Sequence, residues 1–435
     1  MNLNKTTVQT APGITANLKI RLTVLVFLQY AIWGAYLISV GRYLASIGLG
    51  SQIKWFFATN GIVSLFMPAL VGIVADIYIQ AQKLLSLCHG LSGSFMLMSG
   101  LYCMFTPVVA FAPLYTFYAL AIVFFMPTVA LTNSISYSII SRAGGDPVRV
   151  FPPIRMFGTV GFICSMLAVN FLSVDGVRMQ DSYTQLLLSG VLSMVLCLYA
   201  LTLPECPSAR TRNVNGISDA LGFNSFRLFA DPRLTVFLIF AVLMGMALQI
   251  TNGYANTFLN SFSQNPAYAQ TFAVRNSNAL LSLSQVFETL CFLIVPFFMR
   301  RYGIKTVMLM SMIAWVLRFG LFAVGTPDMP GVLLFILSCM LYGIAFDFFN
   351  IAGSLYVESC ADKSVRASAQ GLFMMMSNGI GATVGMMGAG AVMDHYVFKA
   401  SSPDWSSAWY VFAAYMLVVT LLFAVLFKNR STQKN

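Results

Sequence analysis

ALLSLSQVFETLCFLIVPFF, residues 279–298, contains a single formal charge, Glu288. An α-helix needs about 20 mostly apolar residues to cross a hydrocarbon layer. The stretch therefore reads as a membrane span with a carboxylate at mid-depth. The rest of the chain agrees. Of its 435 residues 58% are hydrophobic, 9% are charged and 37 are Phe. A soluble protein carries about 25% charged residues. A water-facing surface cannot be built from so few charges, so an all-α polytopic membrane protein is expected.

The same ruler gives twelve expected spans, at about 22–41, 54–75, 85–105, 112–140, 157–174, 184–203, 234–259, 277–299, 305–324, 331–357, 368–392 and 407–427. Several exceed the minimum and are expected to tilt. Alternating ten-residue strands are missing, which excludes a β-barrel. The polar first twenty residues lead into a full-length span without a cleavage site, so the first helix is expected to stay uncleaved. The longest polar stretch, 204–233, holds Pro204, Pro207, Asn213 and Gly216. It divides the chain into an expected six-helix bundle at 1–203, a linker at 204–233 and a second six-helix bundle at 234–435. Such a 6+6 layout is shared by parallel-repeat carriers. The loops GIVADIYIQAQK (72–83) and RRYGIK (300–305) fall at corresponding points of the two parts and resemble the loop signature of the major facilitator superfamily.

Eighteen Lys and Arg fall on the side of the termini and five on the other, with Arg155 and Arg318 inside or at the edge of spans. Basic residues stay cytoplasmic, which puts both termini in the cytoplasm. The net charge of +11 is thus topological, and no nucleic-acid partner is expected. The eight cysteines form no C-x-x-C pair, and those in apolar runs read as small buried thiols. His89 and His395 have no metal-type neighbours in sequence.

An ionisable group at mid-membrane is costly and tends to face a cavity with a task. Glu288 shares a helical face with Gln285, three residues before it. Asp347 lies in LYGIAFDFFNIAGSLYV, where Tyr342 and Phe346 are four apart and Asn350 follows Asp347 by three. Arg155 opens a helix behind Pro152–Pro153, with Thr159 and Phe162 on the same face; its side chain could snorkel or serve the two carboxylates as a cation. Gln249, Asn252 and Asn256 put three amides on one face, for substrate or for interhelical bonds. Asn133, Ser136, Tyr137, Trp33 and Tyr36 are weaker candidates. Arg318 has no polar companion at helical spacing and reads as structural or snorkelling. Gly381 and Gly385 form a G-x-x-x-G for close helix packing.

The chain has no G-x-x-x-x-G-K-[ST] loop for nucleotide hydrolysis, no potassium-filter sequence and no catalytic His/Cys/carboxylate cluster. It is read as a carrier, not an enzyme. Carboxylates, amides, a guanidinium and aromatic rings suit a neutral, polar, planar solute. A carrier of sugars or small drugs stays open as an alternative. So does a membrane sensor that binds a nucleoside without moving it, although no loop is long enough for an output domain.

FPPIRMFGTVGF (151–162), LQITN (248–252), SQVFETL (284–290), RYGIKTVMLMSMIAW (301–315), YGIAFDFFNIAGS (342–354) and RASAQGLFM (366–374) resemble, in order, segments of the bacterial nucleoside:proton symporters of the major facilitator superfamily. The resemblance covers the whole set of spans. It implies that fold, proton-coupled nucleoside uptake across the bacterial inner membrane, and no cofactor beyond the coupling proton. It implies that Arg155, Thr159 and Phe162 line one side of the site, and Gln249, Asn252, Gln285, Glu288, Tyr342, Phe346 and Asp347 the other. On this reading Asp347 is the first candidate proton carrier with Arg155 as its partner, and Glu288 is the second. Phe287 and the Gly253–Tyr254 pair depart from the family pattern and bear on the choice of solute. Beyond nucleoside and lipid bilayer no partner is expected; nothing in the sequence demands more than a monomer.

Overall fold

The computed structural model describes residues 15–206, 231–360 and 366–427. Most of the expected linker, 207–230, lies outside the described residues, as do Lys363 and both chain ends. The first half of the chain holds α1 (Ala16–Gly34), α2 (Val40–Ser46), α3 (Ile53–Ile77), α4 (Ala81–Phe105), α5 (Phe111–Arg142), α6 (Pro147–Phe171) and α7 (Thr184–Ala200). The second half holds α8 (Pro232–Ser261), the single turn α9 (Phe272–Arg275), α10 (Ser277–Val324), α11 (Val332–Cys360), α12 (Arg366–Met374), α13 (Ala382–Met393) and α14 (Trp405–Leu426). Residues 375–381 and 394–398 are π-helical. A two-residue strand pair, Ser173–Val174 with Val177–Arg178, closes one loop.

Among the described residues nine helices are long and apolar enough to cross a membrane. The twelve expected spans are not matched one for one, and the differences have physical causes. Expected span 22–41 is broken: the chain turns through 35–39 between α1 and α2. The break frees the carbonyl of Ile32, which accepts from the Ser189 hydroxyl at 3.0 Å. A freed backbone group inside a membrane needs such a partner. Expected span 184–203 ends early as the 17-residue α7. Expected spans 277–299 and 305–324 run together in the 48-residue α10, bent at Gly303 with φ of 76°. Only glycine takes that backbone readily, and it sits in the RRYGIK loop.

Helix ends follow local chemistry. Asp231 caps α8 by accepting from the Arg233 amide at 2.9 Å, with Pro232 at the first helical position; both are favoured there. Asp404 caps α14 through the Ser407 amide at 3.0 Å. One expected boundary is corrected. Pro152 and Pro153 do not begin a helix, because α6 already starts at Pro147. Proline is tolerated inside membrane helices, where neighbouring groups satisfy the freed carbonyls.

Within the first half α1 packs on α6 and α7, and α4 on α5 and α7; within the second, α10 packs on α11 and α14. The two halves meet where α3 crosses residues 375–393, where α6 lies along α10, and where α2 meets α8. Large apolar side chains such as Phe292, Leu293, Phe297 and Leu421 point outward and are exposed, as a lipid-facing belt requires.

Candidate solute site

The early start of α6 places Arg155 well inside the helix. It lies eight residues beyond Pro147, or about 12 Å along the helix. Its guanidinium covers the Tyr30 ring of α1 at 3.9 Å from the centroid, within cation–π range. Close packing fixes this meeting. A Cβ on Gly161 would lie 2.2 Å from the Phe27 carbonyl, and one on Gly34 would lie 2.4 Å from the Phe162 carbonyl. Thr159 is half-buried one turn further along, and Phe162 is buried where α6 crosses α1.

Opposite, α10 and α11 carry the carboxylates. Glu288 is half-buried and lies within electrostatic range of Arg155 across the interface between halves. Asp347 is buried at 6% exposure, and Glu288 is its charged neighbour. Its Oδ2 has no hydrogen-bond partner among the described residues. The expected Asp347–Arg155 pairing is therefore not what this structure brings together; Glu288, not Asp347, is the carboxylate within electrostatic range of the guanidinium. The two carboxylates meet because α10 and α11 pack closely, with the Gly343 position against the Phe287 carbonyl and Cys291.

The aromatic part is a stack. Tyr342 and Phe346 lie parallel, 5.9 Å between centroids with 6° between planes, and Trp315 meets Tyr342 edge-on at 6.1 Å. Gln285 lies near the Tyr342 hydroxyl. On α8, Asn252 donates to Gln249 Oε1 at 3.5 Å, and both are half-buried. Asn256 separates from them. It is 1% exposed, donates to Asn278 Oδ1 at 2.6 Å and accepts from Ser277 at 2.7 Å. The third amide of the predicted face is thus an interhelical tie.

One end of the bundle, away from the described ends of the chain, is closed between halves. Arg42 bonds Asp181 at 2.5 Å within its own half and reaches the Val274 carbonyl and Ser277 of the other at 3.1 and 2.9 Å. Asn170 bonds Asn276 at 3.1 Å, and Lys54 bonds Asp394 at 2.7 Å. Glycines bring the backbones together there. A Cβ on Gly41 would lie 2.4 Å from the Gly253 carbonyl, and one on Gly61 would lie 2.4 Å from Thr383 Oγ1. The predicted pair Gly381 and Gly385 instead packs on α8, against Val242 and Met246. With that end shut, Arg155, Gln249, Asn252 and Glu288 are nonetheless half-exposed.

Several weaker readings resolve. Arg318 does not snorkel: it is 2% exposed, donates to the Ser338 carbonyl and lies 4.8 Å from the Tyr342 ring. His89 sits inside α4, fully buried, bonded to Gln29 at 2.9 Å and Ser193 at 3.1 Å. Cys88, Cys103, Cys291 and Cys339 are buried, but Cys164 is exposed, since its face of α6 points outward. Tyr30 was missed by the sequence reading; the only signal was its place three residues before Trp33.

The comparisons with known proteins fit this geometry. The family model described as "Nucleoside H+ symporter" matches residues 16–432. The chain is 43% identical to the xanthosine permease of Escherichia coli (strain K12), over 96% of this chain and 98% of that one. It is 41% identical to the nucleoside permease NupG of the same organism, over 95% and 97%. A crystal structure of the nucleoside transporter NupG superposes with a TM-score of 0.86 at 40% identity, covering 95% of this chain and all of that one. The fold is that of the major facilitator transporters, and the chain belongs to the nucleoside H+ symporter family.

Proposed function

We propose that this chain takes nucleosides into the cell with protons by alternating access, and that the reacting centre is the set Arg155, Glu288 and Asp347. The carrying observation is the Arg155 guanidinium, held over Tyr30 on one half, within electrostatic range of Glu288 of the other half, with Asp347 within electrostatic range of Glu288. Such a set ties the position of the halves to the charge on two carboxylates. The relatives' names, xanthosine permease and nucleoside permease, support the solute class. Bodies 1–203 and 234–435, joined by 204–233, rock about the site as a monomer in the inner membrane, with both termini cytoplasmic. Gln249, Asn252, Gln285 and Glu288 suit the ribose hydroxyls. Tyr342 and Phe346 suit a flat base, with Thr159 and Phe162 on the facing side. Asp347 takes the proton in this scheme, and the Glu288–Arg155 attraction closes the halves around the solute.

The test is radiolabelled uridine and xanthosine uptake into proteoliposomes, with and without an inward proton gradient. Gradient-driven accumulation, lost with a protonophore, is expected. Equilibration alone would remove the proton from the scheme, and absence of uptake of both solutes by folded protein would remove the nucleoside.

A further inference from the structure

Four helices of the first half meet at one fully buried imidazole for which the transport scheme has no task. His89 of α4 bonds Gln29 of α1 and Ser193 of α7, and Gln29 also bonds Thr128 and Thr132 of α5. All five side chains are buried. The hydrogens can be placed in order. Thr128 gives its one hydroxyl hydrogen to the Phe125 carbonyl at 2.5 Å, so it can only accept from Gln29 Nε2, at 2.8 Å. Gln29 Oε1 then receives the Thr132 hydroxyl at 3.0 Å and faces His89 Nε2 at 2.9 Å. An amide oxygen only accepts, so His89 carries a hydrogen on Nε2. Its Nδ1 meets the Ser193 hydroxyl at 3.1 Å, and that hydroxyl also reaches the His89 backbone carbonyl at 3.1 Å.

This clasp grips the residue next to Tyr30, whose ring lies under the Arg155 guanidinium. The fit there is close: a Cβ on Gly158 would lie 2.7 Å from Tyr30 Cδ2 and 2.9 Å from Arg155 Nη1. A second route runs through rings. His89 meets Phe125 edge-on at 6.1 Å, Phe125 meets Trp33 edge-on at 5.8 Å, and Trp33 lies 6.4 Å from Tyr30. Both routes fix the turn of α1 about its own axis. A ring about 6 Å from a helix axis moves by roughly 1 Å when the helix turns by about 10°. We infer that His89 is a positioning residue for the solute site: its Nε2–H holds Gln29, Gln29 sets the turn of α1, and Tyr30 thereby places the Arg155 guanidinium. The inference rests on the nucleoside-carrier reading of that site.

The test is the KM for radiolabelled uridine uptake in proteoliposomes, normalised to folded protein. His89→Leu removes the donor and is expected to raise KM about tenfold, as a misplacement of about 1 Å does. His89→Gln brings an amide N–H near the Nε2 position and is expected to keep KM close to the native value. In Tyr30→Leu, which has no ring to place, adding His89→Leu is expected to leave KM where Tyr30→Leu puts it. A merely structural role would lower the amount of folded protein and leave KM alone. Native KM in folded His89→Leu therefore overturns the positioning role alone, as does a rise in KM that is undiminished in the Tyr30→Leu background. Nitrogen NMR of the native chain, whose only other histidine is His395, needs no variant: a hydrogen on His89 Nε2 is expected, and its absence overturns the inference. Failure of the native chain to take up uridine at all overturns the nucleoside reading, and the positioning role with it.

Discussion

Lys54→Met should loosen the closed end of the bundle by a measurable and bounded amount. Lys54 bonds Asp394 at 2.7 Å, and the two side chains are 18% and 11% exposed. Removing one partner of a fully buried pair costs about 3–5 kcal/mol because a bare charge remains. An exposed pair contributes only ~0–1 kcal/mol. Here Lys399 stands 3.2 Å from the same Asp394 oxygen and is 67% exposed. Asp394 would therefore keep a cation, and the loss should fall between those limits, at about 1–2 kcal/mol. That is a factor of roughly 5–30 in the closed-to-open ratio. Methionine keeps the apolar stem that lies against Gly390, so the change reports charge and not packing. The assay is electron–electron distance measurement between spin labels at Ser46→Cys and Ser402→Cys, both exposed, in a chain freed of its native cysteines. A new longer-distance population is expected in Lys54→Met and little change in Lys399→Met. An unchanged distribution in Lys54→Met, or an equal shift in both, would refute the reasoning.

Gly61→Val should stop transport in folded protein, because a Cβ there meets Thr383 Oγ1 at 2.4 Å and the Gly379 carbonyl at 2.8 Å; uptake and the same distance measurement would show the closed end forced apart. Asp347→Asn should abolish accumulation driven by a proton gradient while leaving exchange of labelled for unlabelled uridine. If Asp347→Asn still accumulates uridine with unchanged pH dependence and Glu288→Gln does not, the proton belongs to Glu288. Arg318→Met should raise KM for uridine several-fold, corresponding to the ~1–2 kcal/mol of a desolvated cation–π contact, without moving the pH profile; an unchanged KM would make Arg318 a purely structural tie.

What could be read before the structure was what one helix carries on its own. Charge in an apolar run stands out, which is how Glu288 and Asp347 enter the candidate site, and spacing by four placed Tyr342 and Phe346 on one face, where they stack. What could not be read depends on a second helix. Arg155 and Arg318 each find an aromatic ring from another helix or turn, Tyr30 and Tyr342, and neither pairing leaves a spacing signal. The break at 35–39 was hidden because its hydrogen-bonding relief comes from Ser189, far along the chain. The start of α6 was misplaced because a soluble-protein expectation about proline was applied to a helix in lipid.

Asn252 and Asn256 show how the two kinds of information combine. They repeat at one-turn spacing on α8, yet Asn252 is half-buried and bonded to Gln249, and Asn256 is buried and bonded to Asn278 and Ser277. Ser277 in turn receives Arg42 from the other half at 2.9 Å. Between the two asparagines lies Gly253, whose carbonyl touches the Gly41 position. One 30-residue helix therefore carries the amides proposed for the solute and the closure bonds a single turn, about 5.4 Å, apart. On the proposed function, a solute that pulls on Gln249 and Asn252 displaces Asn256 with them, since a helix moves as a body over so short a distance. Binding and closure are then coupled through covalent structure, and no longer relay through the bundle is needed.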